Sequence, residues 1–266
     1  MIPLLIPAAL GLIGGYLLRD EKKYAKGGSV SGLLAPNGKS TSLTAEQWHL
    51  ARTPEFKAWF GDWENDPENA SKVVDENGEP MVVYHGTLQK FNVFNTYYDN
   101  DTWHGKGSYF TSSLKDLKSN YVTSKEDIYL DVFLNIKNPV IVGKKNESTW
   151  FEREDREIIK NALRLHNFSM VNYAYENSWD SYNLEKIVRN ELNESSSGKL
   201  LNFIYRELGF DGILFSTPYK LKGHKAPLKT KHFVAFYPNQ IKLADGTNTT
   251  FDSKNPDIRF NKGGEL

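Results

Sequence analysis

A chain of 266 residues, 39% hydrophobic and 13% aromatic, can bury a sizeable core and is not a disordered segment. Its 33 lysines and arginines balance 33 aspartates and glutamates, which excludes a global field that would draw it to nucleic acid. With no cysteine, disulfides, thiolate metal centres and a cysteine nucleophile are excluded; no histidine pair has zinc-ligand spacing, so no metal is expected.

Residues 1–18, MIPLLIPAALGLIGGYLL, carry no charge and just reach the thickness of a bilayer core. The stretch does not open with the positive residues of a secretory signal. Arg19, Lys22, Lys23 and Lys26 follow it, so a spanning helix would keep the rest of the chain on the cytoplasmic side. Pro3, Pro7 and the glycines weaken an isolated helix, and the alternative is burial in an oligomer or a virion. The expected localisation is therefore at a membrane or in a virion, through residues 1–18. From Gly27 to Ser42 the composition turns to Gly, Ser, Pro and Asn without periodicity, and residues 19–42 are expected to be a flexible linker.

A folded domain is expected over residues 43–244. Thr44 with Gln47 has the form of a capping box, and Thr53-Pro54 sets a cap and an N1 proline before EFKAWFGDW, so two short helices are predicted. Asn77-Gly78 forms a tight turn leading into MVVYHGT, a buried-type strand that ends on His85 and Gly86. A short strand is predicted near Phe91 to Phe94, then a polar loop, then a glycine-bracketed strand around Tyr109. Ser113 caps a helix reaching about Tyr121. DIYLDVFLNIKNPVIV alternates as two strands parted by Asn138-Pro139. Residues 147–195 have helical period and read as a helical insertion. The pattern resumes with the helix GKLLNFIYREL, strands at DGILFS and HFVAFY, and QIKLA. Strands grouped by hairpins with isolated helices indicate an α+β fold. Residues 245–266 are expected as an extended tail anchored only by Ile258 and Phe260.

VVYHGT, GSYFTSS, KSNY, GFDGI and FVAFYPNQIK occur in this order. The set resembles ADP-ribosyltransferases of the diphtheria-toxin and poly(ADP-ribose)-polymerase type. It is most similar to the transferase domains of phage and mobile-element polyvalent proteins and toxins. The flanks EFKAWFGDW, ASKVVDENGEP and DGTNTTFDSKNPDIRF are similar too, so the resemblance spans about residues 43–261.

The resemblance implies split antiparallel β-sheets that bind NAD, as co-substrate, in a cleft between them. It places His85, Gly86, Thr87, Tyr109, Phe110 and Tyr121 in the NAD site. His85 would bond a ribose hydroxyl, the Gly86 backbone would pair with the nicotinamide amide, and Tyr109 and Tyr121 would sandwich the cationic ring. The implied catalytic set is His85, Tyr109 and His232, the last standing where the family carries a glutamate. A neutral imidazole can accept a bond from the ribose 2′-hydroxyl, whereas a protonated one would oppose the transition state, so activity is expected to fall below about pH 6.5. Ser108 and Thr111 could reach ribose, although strand-edge polarity also explains them. Asp211 reads as a turn device, and Lys229 and Lys231 as contacts to phosphate or as a solvated edge.

The implied activity is transfer of ADP-ribose from NAD to a host protein or RNA, in a phage or mobile-element effector or toxin. Two other readings stand beside it: a catalytically impaired NAD-binding or phage structural protein of the same fold, and an RNA-cleaving toxin using His85 and His232 as an acid/base pair.

Overall fold

The computed structural model describes residues 32–96, 104–122, 128–143, 147–167, 179–216, 230–246 and 248–259. The apolar segment 1–18, Lys229 and Phe260 lie outside the described residues. Among the described residues no helix is long and apolar enough to cross a membrane.

Residues 32–42, expected as linker, fold back as a tight turn: Leu34 bridges Ser40, Gly38 adopts φ +77°, and Ala35 is buried. Two short helices follow, α1 (Ala45–Ala51) and α2 (Pro54–Phe60), started by the Thr44–Gln47 capping box and by Thr53 with Pro54. Their aromatic residues Phe56, Trp59 and Phe60 pack with Trp63, Phe133 and Phe251 into one core. Arg52 lies over the Trp48 and Trp63 rings and ion-pairs with the fully buried Glu79 at 3.1 Å. That contact ties the helical pair to the turn before the first strand.

The strands are β1 (Val83–Thr87), β2 (Ser108–Thr111), β3 (Ile128–Leu134), β4 (Pro139–Val142), β5 (Gly212–Ser216), β6 (Lys231–Ala235) and β7 (Ile241–Leu243). They form one sheet in the order β4-β5-β6-β2-β1-β3-β7. The α+β class holds, but the expected pair of separate antiparallel sheets needs two corrections. The halves β4-β5-β6-β2 and β1-β3-β7 are joined by a single register pair, Tyr84 with Thr111. Within the first half β4 and β5 run parallel. Parallel neighbours need a long crossover, and the helical insertion supplies it. Helices α4 (Arg153–Leu165), α5 (Ser181–Glu191) and α6 (Glu194–Glu207) connect β4 to β5 and bury Ile159, Leu184, Leu201 and Tyr205 against Val140, Ile213 and Val234.

Helix α3 (Leu114–Asn120) runs from its N-cap Ser113 to its C-cap Tyr121. No strand forms over residues 91–94: Phe91 and Phe94 are three apart and both turn in against His85. The tail is held by more than Ile258, because Phe251, at φ +44°, and Asn248 are buried as well. Isolated apolar residues in a polar tail carry no period, and the sequence therefore hid the Phe251 anchor. Asp211 is a turn device: its carboxylate accepts the Lys137 and Asn138 amides at 2.8 and 2.9 Å.

Candidate active site

Side chains alternate along a strand, so the register sorts the candidate residues by face. Phe215, His232, Thr111 and Tyr84 form one cross-strand row. Tyr109 and Gly86 are two residues away along β2 and β1 and share that face. His85 and Phe110 belong to the other face, where His85 packs edge-on to Phe94 at 4.9 Å and against Phe110 at 5.4 Å.

Past the Tyr84–Thr111 pair β1 parts from β2, and His85 spans the opening. Its Nδ1 lies 2.8 Å from the Tyr109 carbonyl. A carbonyl can only accept, so Nδ1 carries the proton and Nε2 is left as the acceptor. Burial pushes the His85 pKa below the usual histidine range, with the Tyr109 bond opposing. His85 is thus a neutral imidazole of fixed tautomer.

The Gly86 peptide orientation follows from the ladder. In an antiparallel pair, the N–H and C=O groups of successive residues face alternate neighbours. The Asp131 carbonyl accepts the Ala244 amide at 2.9 Å and so faces away from β1. Asp131 is in register with Tyr84, so Tyr84 and, two residues on, Gly86 aim their N–H and C=O away from β3 and toward the opening. The missing side chain matters as well. A Cβ at Gly86 would come within 2.9 Å of Val122 Cγ2 and 3.4 Å of the Tyr121 carbonyl, so the end of α3 sits directly over this strand position.

Tyr121 stands at that helix end, 46% exposed, its pKa raised by burial and then by the charge of Asp116. The Tyr109 hydroxyl donates to the Gly105 carbonyl at 2.8 Å and accepts the His104 amide at 3.2 Å. Thr87 is committed to a local turn, its hydroxyl donating to the Gln89 carbonyl at 3.1 Å and accepting the Gln89 amide at 3.2 Å. Thr111 gives its hydroxyl to Asp116 at 2.7 Å, Ser108 is buried, and Lys231 is exposed on β6.

His232 is buried and stacked on Phe215, with centroids 5.0 Å apart and planes at 13°. Its Nε2 is 3.8 Å from Asp116 Oδ2. His232 and His85 project from opposite faces of the sheet. Sequence reasoning missed three residues here. His104 packs on the Phe215 ring and faces Glu185 at 3.3 Å, and both are buried. Burial raises the Glu185 pKa, but His104, Arg189 and Tyr205 outweigh it and hold the carboxyl below its usual range. Asp116 was hidden as an ordinary first-turn helix acid. The five-residue step from Thr111 on to Asp116 was its sole signal. Among the described residues no cluster of three or more metal-ligating side chains occurs.

An α+β domain whose sheet opens at a histidine–glycine step, with one tyrosine across the opening and another at the helix end above it, has the arrangement expected of an ADP-ribosyltransferase. The family model described as ADP-ribosyltransferase in polyvalent proteins matches residues 75–251, more than half of the chain, and the chain belongs to that family. The match starts after α1 and α2. Neither the comparison with curated proteins nor that with solved structures finds a match.

Proposed function

We propose that this chain transfers a single ADP-ribose from NAD to a host protein or RNA, as the effector of a phage or mobile element. The observation that carries the reading is the Gly86 peptide, whose N–H and C=O face the opening between β1 and β2 that the contact of His85 Nδ1 with the Tyr109 carbonyl spans. A primary amide such as that of nicotinamide offers the complementary donor and acceptor. Tyr109 and Tyr121 are assigned to the faces of the nicotinamide ring, Thr87 and Phe110 to the rim and floor of the site, and His232 to the ribose 2′-hydroxyl. In the reaction the bond between ribose C1′ and the nicotinamide nitrogen breaks, and its electron pair leaves on neutral nicotinamide. The acceptor's nucleophile bonds C1′ and gives its proton to a base.

A second reading, a protein that binds NAD without turning it over, is favoured by one observation: a buried histidine stands where the family carries a glutamate. Incubating the full chain with NAD labelled in its adenylate phosphate and a cell lysate separates the two. Transfer predicts label on a macromolecule and release of nicotinamide, both lost in His85→Ala and Tyr109→Ala. Binding with no release or labelling would leave the second reading. For the segment 1–18 we propose membrane or virion anchoring, tested by partition of the full chain and of a chain lacking residues 1–26.

A further inference from the structure

Asp116 has no solvent exposure, and its charge is met chiefly by neutral donors. The Thr111 hydroxyl donates to Oδ2 and the Asn120 amide to Oδ1, each at 2.7 Å. Among the described residues the nearest ionisable partner is His232, at 3.8 Å. A buried carboxylate without an arginine or lysine is costly. Its position in the first turn of α3, where the Asp116 amide bonds the Ser113 hydroxyl, explains a preference for acid but not for burial, since an exposed acid there would gain the same dipole interaction. The two neutral donors would also accept asparagine. What asparagine would lack is the charge. That charge lies on the face of the sheet that carries Gly86 and Tyr109, between His232 and the helix end at Tyr121.

We propose that Asp116 is a positioning residue that supplies, from α3 and behind His232, the negative charge which the family delivers from β6 as a glutamate. This assignment rests on the transferase reading above. As C1′ parts from nicotinamide, positive charge develops on the ribose, and a preorganised carboxylate in a water-poor wall stabilises it without forming a bond or taking a proton. His232, oriented against Asp116, accepts the 2′-hydroxyl bond.

The test uses the full chain. Nicotinamide release gives kcat, calorimetry gives NAD affinity, and thermal melting reports folding. For Asp116→Asn the expected result is a loss of about 10- to 100-fold in kcat with NAD affinity changed less than about threefold. Replacing His232 by glutamate in that background should recover at least about tenfold of the loss, because a carboxylate then stands on β6. An unchanged kcat in Asp116→Asn, or a loss that His232→Glu does not recover, overturns the assignment. Should Asp116→Asn alone fail to fold, His232→Glu is compared with and without it. The double variant should be at least about threefold faster, because two adjoining carboxylates drive one to protonate; equal rates overturn the assignment. A wild-type chain that binds NAD and releases no nicotinamide overturns both this and the transferase reading, whereas an active wild type with an equally active Asp116→Asn overturns this assignment alone.

Discussion

The Tyr109 carbonyl accepts the His85 Nδ1 proton at 2.8 Å across the place where β1 leaves β2, so a side chain takes the position of a ladder bond. One contact therefore sets both the width of the opening and the tautomer of the ring beside it. His85→Ala should lower stability by about 2 kcal/mol, from the lost bond and the packing on Phe94 and Phe110. It should also weaken NAD binding by about three- to tenfold, the size of a lost hydrogen bond between neutral groups. Denaturant melts and calorimetry check the two effects separately.

Acid should act through the same residue. Burial lowers the folded-state pKa of His85, so the unfolded chain binds more protons at mildly acid pH. Its contribution to stability is fully present above the unfolded value of about 6.5 and is lost as pH falls through the lower folded value. Melting temperature followed from pH 7 to 4 should fall less steeply in His85→Gln than in the wild type. Equal slopes would show that His85 does not set the acid response.

Gly86→Ala should be destabilising by about 1–3 kcal/mol, because its methyl would meet Val122 Cγ2 at 2.9 Å. Val122→Ala in the same chain makes room and should return most of that stability. A double variant no more stable than Gly86→Ala would mean that α3 does not press on this strand.

Tyr109→Phe keeps the ring and removes the hydroxyl that joins the His104 amide to the Gly105 carbonyl. The expected cost is about 1 kcal/mol of stability with little change in NAD affinity, whereas Tyr109→Ala should abolish binding. Titration of both variants with NAD distinguishes a stacking ring from a hydroxyl that contacts the ligand.

Lys242 responds at the other end of the pH scale. Its Nζ is buried and reaches the Asn255 and Asp257 carbonyls, and burial lowers its pKa to about 8. Between about pH 8 and its unfolded value of about 10.4 the unfolded chain binds more protons, so stability should rise with pH there. Lys242→Met should flatten that rise. Chemical denaturation at pH 8 and pH 10 measures it.

Much of this was legible from local pattern. The capping pairs at Thr44 and Thr53, the turn at Asn77-Gly78 and the cap at Ser113 act within four residues, and each lies where the pattern put it. Phe91 and Phe94 misled because aromatic residues favour strands by type, whereas a spacing of three brings both rings onto one imidazole only from a loop. The sheet could not be read in the same way. β3 and β4 are separated in sequence by a short connection, yet in the sheet β5, β6, β2 and β1 lie between them. Asp116 and His232 are remote in the chain and meet only through the Thr111 register.

By itself the sequence determined the α+β class, the family and the residues that can serve as donors, acceptors and rings, because capping, turn chemistry and side-chain type are local properties. The tertiary structure alone decided which face each residue occupies, which tautomer His85 holds and that Asp116 lies 3.8 Å from His232, because strand register and burial arise from contacts between distant segments.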